Sequence, residues 1–145
     1  VEAAIHTPYQ VTVWGILWEA LADRINYCGS HIHNNDLGKH YASANVVLND
    51  HRKAMLRDEF ISNRVYDSLS CASPIVTEDM SGMPEEFSGG VFLYNSEADV
   101  PETIEAARQA NPDRLREISE TIRQRHSFLQ RAQVMSQRID ALIRT

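Results

Sequence analysis

The stretch NVVLNDHRKAMLRDEFISNRVYDSLSCASPIVTED, residues 45–79, contains a short apolar run, a helical pattern and a second apolar run, in that order. The first run, NVVL at 45–48, ends in Asn-Asp, and the second, PIVT at 74–77, ends in Glu-Asp. Between them Ser62 can cap a helix, because its hydroxyl can accept a hydrogen bond from the first turn. The apolar stripe of that helix is Val65, Leu69 and Ala72. The stretch therefore predicts a strand, a helix and a second strand.

The same alternation continues on both sides of this stretch. Further strand candidates are VTVW at 11–14, INYC at 25–28 and GVFLY at 90–94. Each run is apolar throughout instead of alternating, which is typical of strands that are covered on both faces. Strands that alternate with helices predict an α/β fold, a Rossmann-like parallel sheet with helices on both faces.

Helix signals fill the gaps between the strand candidates. Asn35 can cap the pattern DLGKHYASA, and Asn111 suits the cap of a later helix. Pro101 and Pro112 suit the first turns of helices, and the chain is predicted to be helical from Pro101 almost to its end. The last helix, after about residue 126, has a broad apolar side formed by Phe128, Leu129, Ala132, Met135, Ile139 and Leu142. The sequence thus predicts long C-terminal helices.

Composition restricts the classes of function. The 145 residues suit a single domain, residues 1–145, and the net charge of −6 argues against a nucleic-acid binder. No apolar run approaches the ~20 residues that a membrane-spanning helix needs, and the first residues lack a signal-peptide pattern. Cys28 and Cys71 fit no metal spacing, so we expect buried free thiols in a reducing compartment and predict a cytoplasmic protein.

The first residues, VEAAIHTPY, have the pattern of the end of a helix that leads directly into a strand. A doubly wound domain usually starts with a strand. We therefore expect the chain to be a fragment whose first strand lies upstream of Val1.

Polar residues and glycines follow the predicted strands. In open parallel sheets, ligands bind beyond the carboxyl ends of the strands. The candidates at those ends are Gly15, Gly29, Asn49, Asp50, Glu78, Asp79 and Asn95. Glycine allows close backbone approach, and the polar side chains can bind a ligand. Taken singly, each of these residues is also an ordinary turn residue.

The start of the predicted helix after Ser62 is a more specific candidate. The amides of Asn63, Arg64 and Val65 would point out of the helix, where they and the helix dipole suit a phosphate. Asp67 shares a face with Asn63 and Arg64, so its carboxylate could reach vicinal hydroxyls such as those of a ribose. Spacing alone does not distinguish this site from a surface ion pair between Arg64 and Asp67, worth under ~1 kcal/mol.

Linked motifs favour the binding site. The segment GKHYASANVVLNDHRKAMLRDEFISNRVYDSLSCASPIVTEDMSGMPEEF resembles the C-terminal, donor-binding half of GT-B glycosyltransferases. More narrowly, it is similar to retaining group-1 enzymes related to spore-maturation-type glycosyltransferases, which carry YASADVVLND-like, EGFISNRLFDALA-like and GIPE-like segments in this order. The resemblance covers roughly residues 11–107. It implies transfer of a sugar from a nucleoside-diphosphate sugar to a hydroxyl acceptor, with this domain binding the donor.

The resemblance also implies roles for individual residues. Asp67 matches the second acid of a signature of two acids separated by seven residues, and would hold the nucleotide ribose. That spacing gives Glu59 as the first acid, which would contact the donor sugar, whereas alignment through Phe60 gives Asp58. Both alternatives stay open. The donor-binding candidates are Gly15, near the base; Asn49 and Asp50, at a strand end; Phe60, Ile61 and Ser62, whose amides would meet the sugar and diphosphate; and Asn63, Arg64 and Asp67.

The implied chemistry needs positive charge at the leaving group. Breaking a sugar–phosphate bond leaves a nucleoside diphosphate, whose growing charge a helix start and Arg64 can stabilise. The resemblance implies a metal-independent reaction without a cofactor, in which Arg64 and the first acid are catalytic. The acceptor would bind to an N-terminal domain that is missing here. We therefore expect the isolated domain to be inactive or weakly active, and the full-length protein to be cytoplasmic or peripheral at a membrane.

Other functions compete with this interpretation. A non-catalytic nucleotide-binding module and a nucleotide-sugar epimerase would use the same fold. His31 and His33 form an H-x-H pair, but without a third ligand they are predicted to be loop histidines. His51 follows a strand near the predicted pocket, where it would either contact a ligand or be exposed without a function.

Overall fold

The computed structural model describes residues 1–80 and 82–143. The strands are β1 (Thr12–Val13), β2 (Asn26–Tyr27), β3 (Val47–Leu48), β4 (Ile75–Glu78) and β5 (Val91–Tyr94). The helices are α1 (Asn34–Ser43), α2 (Lys53–Arg57), α3 (Asn63–Ser70), α4 (Val100–Arg108), α5 (Pro112–Thr121) and α6 (Phe128–Ile143), with a π-helical turn (Ile122–His126) before α6. Each predicted strand is present, and the α/β, Rossmann-like fold is confirmed.

All strand pairs are parallel, but the strands form two separate sheets. β1 pairs with β2, whereas β3, β4 and β5 form a three-stranded sheet in sequence order. In that sheet, Ile75 of β4 lies opposite Val47 of β3 and Val91 of β5. Sequence order among parallel neighbours is the usual result of short crossover connections.

β4 lies at the centre of the domain. Its neighbouring residues Ile75 and Val76 point to opposite faces of the sheet, as successive strand residues do. The Ile75 side packs against α3 and α5, in a cluster of Val47, Val65, Leu69, Phe87, Ile118 and Ile122. The Val76 side packs against α4 and the N-terminal segment, in a cluster of Ala4, Val100, Ile104 and Ala107. Helices therefore cover both faces of this sheet, as predicted.

The approach of α3 and α5 to the sheet depends on Gly90. A Cβ atom built at Gly90 would lie 2.7 Å from Leu69 Cδ2 and 2.9 Å from Ile118 Cδ1. Both neighbouring side chains are fully buried. A side chain at this position would therefore force both methyl groups to shift within a filled core.

The pair of β1 and β2 is covered less than the sequence predicts. Val13 is buried, but both residues of β2, Asn26 and Tyr27, are exposed. The connection between the two strands forms a 3₁₀ turn at Glu19–Leu21 in place of a helix that could cover them. The prediction that each strand is covered on both faces is therefore wrong for β2. The expectation of a buried thiol is wrong for Cys28, which directly follows this uncovered strand and is exposed.

Two of the three predicted helix caps are confirmed. Ser62 caps α3 and Asn111 caps α5, and the predicted prolines lie in the first turns of α4 and α5. The third prediction is wrong, because His33 and not Asn35 caps α1. The His33 Nδ1 atom accepts a hydrogen bond from the Asn35 amide at 3.2 Å, a role that the side chains of Ser, Thr, Asp and Asn usually fill.

The predicted long C-terminal helices are also confirmed. The apolar side of α6 is exposed, including Phe128, Leu129, Met135, Ile139 and Leu142. None of the helices in the described residues is long and apolar enough to span a bilayer.

Candidate functional site

The first turn of α3 is held in place by buried side chains and a Ser62 cap, and one of its backbone amides has no acceptor in the described residues. Val65 and Leu69 are fully buried, and the Ser62 hydroxyl accepts a hydrogen bond from the Arg64 amide at 3.3 Å. Within residues 1–80 and 82–143, the Asn63 amide has no hydrogen-bond acceptor. Because the helix dipole is positive at this end, the arrangement suits an anion.

Arg64 is held at this end of the helix by a residue that follows β3. Its Nη1 atom donates to Asn49 Oδ1 at 3.0 Å, and Asn49 Nδ2 donates to Thr77 Oγ1 at 3.0 Å. Asn49 and Thr77 are both buried, so the amide is fixed between two strands and the guanidinium. The structure thus joins two predicted site residues that are 15 positions apart, and Asn49 orients Arg64.

Asp67 lies one turn further along α3 and is half-buried. Burial raises the pKa of its carboxyl group, and the nearby Arg64 guanidinium opposes this shift. Burial likewise raises the pKa of the Tyr41 hydroxyl on α1, with Arg64 lowering it and Asp67 raising it. A carboxylate whose pKa is raised by burial beside a helix start is a candidate for a ligand site.

The alternative of a surface ion pair is not what the structure contains. Arg64 and Asp67 do not form a salt bridge, since the guanidinium is bonded to Asn49 instead. The Asp67 carboxylate has no hydrogen bond from another residue in the described parts of the chain, which leaves its oxygens available.

The two candidate first acids have different environments. Asp58 is exposed and forms a two-point ion pair with Arg57, at 2.7 and 2.9 Å, which lowers the pKa of its carboxyl group. Glu59 has a backbone φ of 52°, in the left-handed region that glycine adopts readily. The two acids therefore differ in backbone conformation.

The amides of the loop before α3 are only partly free. The Phe60 amide donates to Met55 O at 2.8 Å, and the Ser62 amide donates to His51 Nε2 at 3.1 Å. Of the three loop amides that the sequence assigned to the sugar and diphosphate, only that of Ile61 has no acceptor within the described residues. The backbone donors available to an anion are therefore those of Ile61 and Asn63.

His51 is the residue that the sequence analysis placed least well. Its side chain is fully buried, so of the two alternatives left open for it, that of an exposed histidine without a function is wrong. The ring lies between the Ser62 amide and the carboxylate of Glu78, whose Oε2 is 3.3 Å from Nδ1. Glu78, at the end of β4, is thereby engaged inside the protein.

Gly15 lies at the end of β1 beside a tryptophan. Its φ is 130°, and a Cβ atom there would lie 3.2 Å from Trp18 Nε1. Trp14 next to it lines a cleft of about 470 Å³ together with the loop after β2 and one side of α1. The cleft contains His31 and His33 but neither Arg64 nor Asp67, so it is separate from the α3 start.

Three further strand-end candidates are Asp50, whose side chain is exposed, and Gly29 and Asp79, whose backbone groups form hydrogen bonds in turns. Asp50 is exposed, and with Glu78 it raises the pKa of the Tyr94 hydroxyl, for which burial is the main cause. Gly29 accepts the Gly15 amide at 2.9 Å, and the Asp79 amide donates to Tyr94 O at 2.8 Å. For Gly29 and Asp79, the interpretation as turn residues is sufficient.

No group of three or more His, Cys, Asp or Glu side chains in the described residues could hold a metal ion. His33 Nδ1 is engaged in capping α1. The H-x-H pair is therefore part of a loop and a helix cap.

Sequence reasoning missed Tyr41 and Thr77. Tyr41 has the spacing of a core residue on α1, and only the packing of α1 on α3 brings its hydroxyl near Asp67. Thr77 lies inside an apolar strand, where nothing in the local pattern indicates that its hydroxyl supports Asn49.

Comparison with known proteins gives one finding. The family model described as glycosyl transferase-like matches residues 1–143. No curated protein and no solved structure matches the chain.

Proposed function

The chain belongs to the glycosyl transferase-like family, and from this premise we propose that it is the donor-binding domain of a GT-B enzyme. The observation that carries the proposal is the half-buried, unpaired Asp67 carboxylate one turn beyond a helix start that presents the Asn63 amide and Arg64. The donor would be a nucleoside-diphosphate sugar, with its diphosphate at the helix start and its ribose hydroxyls on Asp67. The narrower relation to retaining, spore-maturation-type enzymes is part of the same proposal.

The positive end of α3 would act on the leaving group. As the sugar–phosphate bond breaks, negative charge grows on the diphosphate, and preorganised donors stabilise that charge more in the transition state than in the substrate. Arg64 is preorganised, because Asn49 holds its guanidinium at 3.0 Å. The reaction would need no metal ion for this purpose and would pass through a sugar cation-like state.

The donor sugar would contact the loop before α3. Ile61 supplies a free amide, and one of Asp58 and Glu59 supplies the first acid. The backbone conformation of Glu59 favours Asp58, because a residue at φ 52° corresponds best to the glycine of the family's EGF-like segment. Asp58 would then exchange its ion pair with Arg57 for the donor.

We propose further that the domain is a fragment, in which one strand is missing between β1 and β3. β1 uses its Val11 and Val13 carbonyls to bind β2, so the backbone groups of Thr12 and Trp14 face away from β2. On β3, the Val47 and Asn49 amides bind β4, and Val46 and Leu48 face away from β4.

The backbone groups on these two edges have no hydrogen-bond partners in the described residues. Val11, just before β1, Val46, just before β3, and Leu48 of β3 nevertheless pack against the same apolar cluster. One further parallel strand between them would give the strand order of a doubly wound sheet. The polypeptide upstream of Val1 would supply this strand, and before it the acceptor-binding domain, so the isolated chain would transfer little sugar.

Calorimetric titration with UDP, GDP and dTDP tests the proposed donor site. We expect one of the three to bind, and Asp67→Asn to weaken its binding at least about tenfold, because the loss of charged hydrogen bonds to the ribose exceeds about 1.4 kcal/mol. Asp23→Asn, an exposed acid in the β1–β2 connection, is the matched control and should bind as the wild type does.

Equal affinities of the wild type and Asp67→Asn would contradict the proposed ribose contact. Failure of all three nucleotides to bind, to this chain and to a longer polypeptide that contains it, would contradict nucleotide binding itself. Isomerisation of a nucleotide sugar in the absence of an acceptor would identify an epimerase instead. Binding without any transfer by the longer polypeptide would indicate a non-catalytic module.

A further inference from the structure

His51 is buried between the sheet and the loop that leads into α3. Its side chain is fully buried, although it directly follows the strand-end residues Asn49 and Asp50. Nε2 accepts a hydrogen bond from the Ser62 amide at 3.1 Å, and Nδ1 lies 3.3 Å from Glu78 Oε2. The ring therefore connects the end of β4 to the residue that caps α3.

These partners fix the tautomer of the imidazole. A backbone N–H can only donate, so Nε2 must be the unprotonated nitrogen of a neutral ring. The proton then resides on Nδ1, which donates to the Glu78 carboxylate and lies 3.2 Å from Thr77 Oγ1. Glu78 Oε2 also accepts the His51 amide at 2.9 Å, so the carboxylate holds both the backbone and the ring of the histidine.

The connection matters because the loop before α3 is exposed at the surface. Asp58, Glu59 and Phe60 are all exposed, and the preceding helix α2 has no buried residue. The Ser62 amide is the point at which this loop is bound to the sheet through a buried group. Ser62 in turn positions the Asn63 amide and Arg64, which follow it directly.

We propose that His51 is a positioning residue of the donor site, which fixes the start of α3 through its Nε2 atom and is itself oriented by Glu78. This inference rests on the proposed function for the identity of the ligand, a nucleoside diphosphate. The contacts of His51 do not depend on that function. His51 does not reach the ligand, because its ring is buried and both ring nitrogens are engaged within the protein.

Two amide substitutions separate the roles of the ring nitrogens. In His51→Gln the side-chain oxygen can take the place of Nε2 and accept the Ser62 amide, whereas in His51→Asn the shorter amide reaches only the position of Nδ1. We expect His51→Gln to bind the nucleotide identified by titration within about threefold of the wild type, and His51→Asn to bind it at least about tenfold more weakly. A purely structural role would lower the affinity of both variants in proportion to their stability, which thermal unfolding measures.

Hydrogen exchange of the Ser62 amide tests the same inference without a nucleotide. We expect protection in the wild type and in His51→Gln, and exchange at least about tenfold faster in His51→Asn. Equal exchange in the three proteins would overturn the proposal. Should the wild type bind no nucleotide, the proposed function fails while this measurement still decides the role of His51.

Glu78→Ala provides a second variant if His51→Asn does not fold. It retains the imidazole but removes the carboxylate that orients it, so Ser62 exchange should accelerate and nucleotide affinity should fall about three- to tenfold. Unchanged exchange in a folded Glu78→Ala protein would show that the ring needs no orientation from Glu78, and would overturn that part of the proposal.

Discussion

The two sheets of this domain were predicted from the same kind of sequence pattern, yet they differ in how they are stabilised. β4 has a paired strand on either side and a helix layer on either face, and its Ile75, Val76 and Thr77 are fully buried. β2 has one paired neighbour, and both of its residues are exposed. Apolar composition indicates that a strand forms, but the protection of that strand depends on neighbours that lie elsewhere in the chain.

The candidate site lies beside the three-stranded sheet, the better covered of the two sheets. Arg64 is held by Asn49, which donates in turn to Thr77, and Ser62 is held by His51. These supporting residues belong to or follow β3 and β4. The three-stranded sheet thus provides rigid support for a site whose loop is exposed. Predictions that separate the two sheets therefore also test how the site is held.

Backbone hydrogen exchange should show the largest difference. The Val76 amide lies inside the three-stranded sheet and should exchange only on global unfolding, whereas the unpaired Leu48 and Trp14 amides should exchange at least about 1,000-fold faster. Exchange monitored by NMR at each amide measures this difference. Protection of Leu48 and Trp14 equal to that of Val76 would contradict the proposed gap for a further strand. Added upstream polypeptide should protect both edge amides.

Removal of a buried ring on the three-stranded side should give the next largest effect. Phe87 is fully buried and contacts Tyr66 edge-on with ring centroids 5.5 Å apart. Phe87→Ala should lower the free energy of unfolding by about 3–5 kcal/mol. Tyr27→Ala, in exposed β2, should lower it by less than about 1 kcal/mol, because little apolar area is lost. Urea denaturation measures both, and equal losses would mean that the two sheets contribute alike.

Two glycine substitutions give a smaller contrast of opposite sign. Gly90→Ala should destabilise the fold by about 1–3 kcal/mol, since its Cβ would clash with Leu69 and Ile118 in a full core. Gly38→Ala on α1 meets only Cys71 Sγ at 3.9 Å and should stabilise the fold by about 0.5–1 kcal/mol through helix propensity. Chemical denaturation of the two variants checks both signs. A tolerated Gly90→Ala would show that the contact of α3 and α5 with β5 can relax.

These comparisons also show what could be predicted from the sequence. The position of β4 and the Ser62 cap were predictable, because each depends on a few adjacent residues. The exposure of β2 was not, since three of the four residues of INYC are apolar and its exposure depends on a connection that forms only a 3₁₀ turn. Within the site, spacing predicted the helix start and the shared face of Arg64 and Asp67, whereas the binding role of Asp67 came from the family resemblance. The contact of Arg64 with Asn49 and the burial of His51 did not, because both depend on the distance between β3 and α3.

The site itself should show a pH-dependent effect on stability. The pKa of Asp67 is raised by burial, so the folded state binds this proton more tightly than the unfolded state does. Stability contributed by the protonated form is therefore lost as the pH rises from about 4, the usual range of aspartic acid, through the raised pKa. Asp67→Asn, which cannot ionise, should be more stable than the wild type at pH 7 and equal to it near pH 3.

Thermal unfolding of Asp67→Asn and the wild type at several pH values measures this difference. The exposed substitution Asp23→Asn is the control and should show no such pH dependence. A variant that gains stability but loses nucleotide affinity would indicate that the chain retains Asp67 for binding. Equal stability of wild type and Asp67→Asn at every pH would contradict the raised pKa.

The smallest effect is expected at Glu59, where the loop before α3 adopts a conformation that suits glycine. Relief of the left-handed backbone should let Glu59→Gly raise the free energy of unfolding by up to about 1 kcal/mol, partly offset by the greater freedom of glycine in the unfolded chain. Ala72, after α3, has a similar φ of 56° and lies outside the site, so Ala72→Gly is the matched control for the backbone term.

Donor binding then identifies the first acid. Replacing Glu59 by glycine should be harmless if Glu59 stands at the family's glycine position, and should weaken binding if Glu59 is the acid. If Glu59 occupies the glycine position, Glu59→Gly should bind the nucleoside-diphosphate glucose of the preferred base as the wild type does, while Asp58→Asn should bind it several-fold more weakly. The reverse result would make Glu59 the acid and would mean that the chain tolerates its left-handed backbone in order to place a carboxylate. The well-covered three-stranded sheet would then support a strained binding loop, a role that the exposed pair of β1 and β2 could not fill.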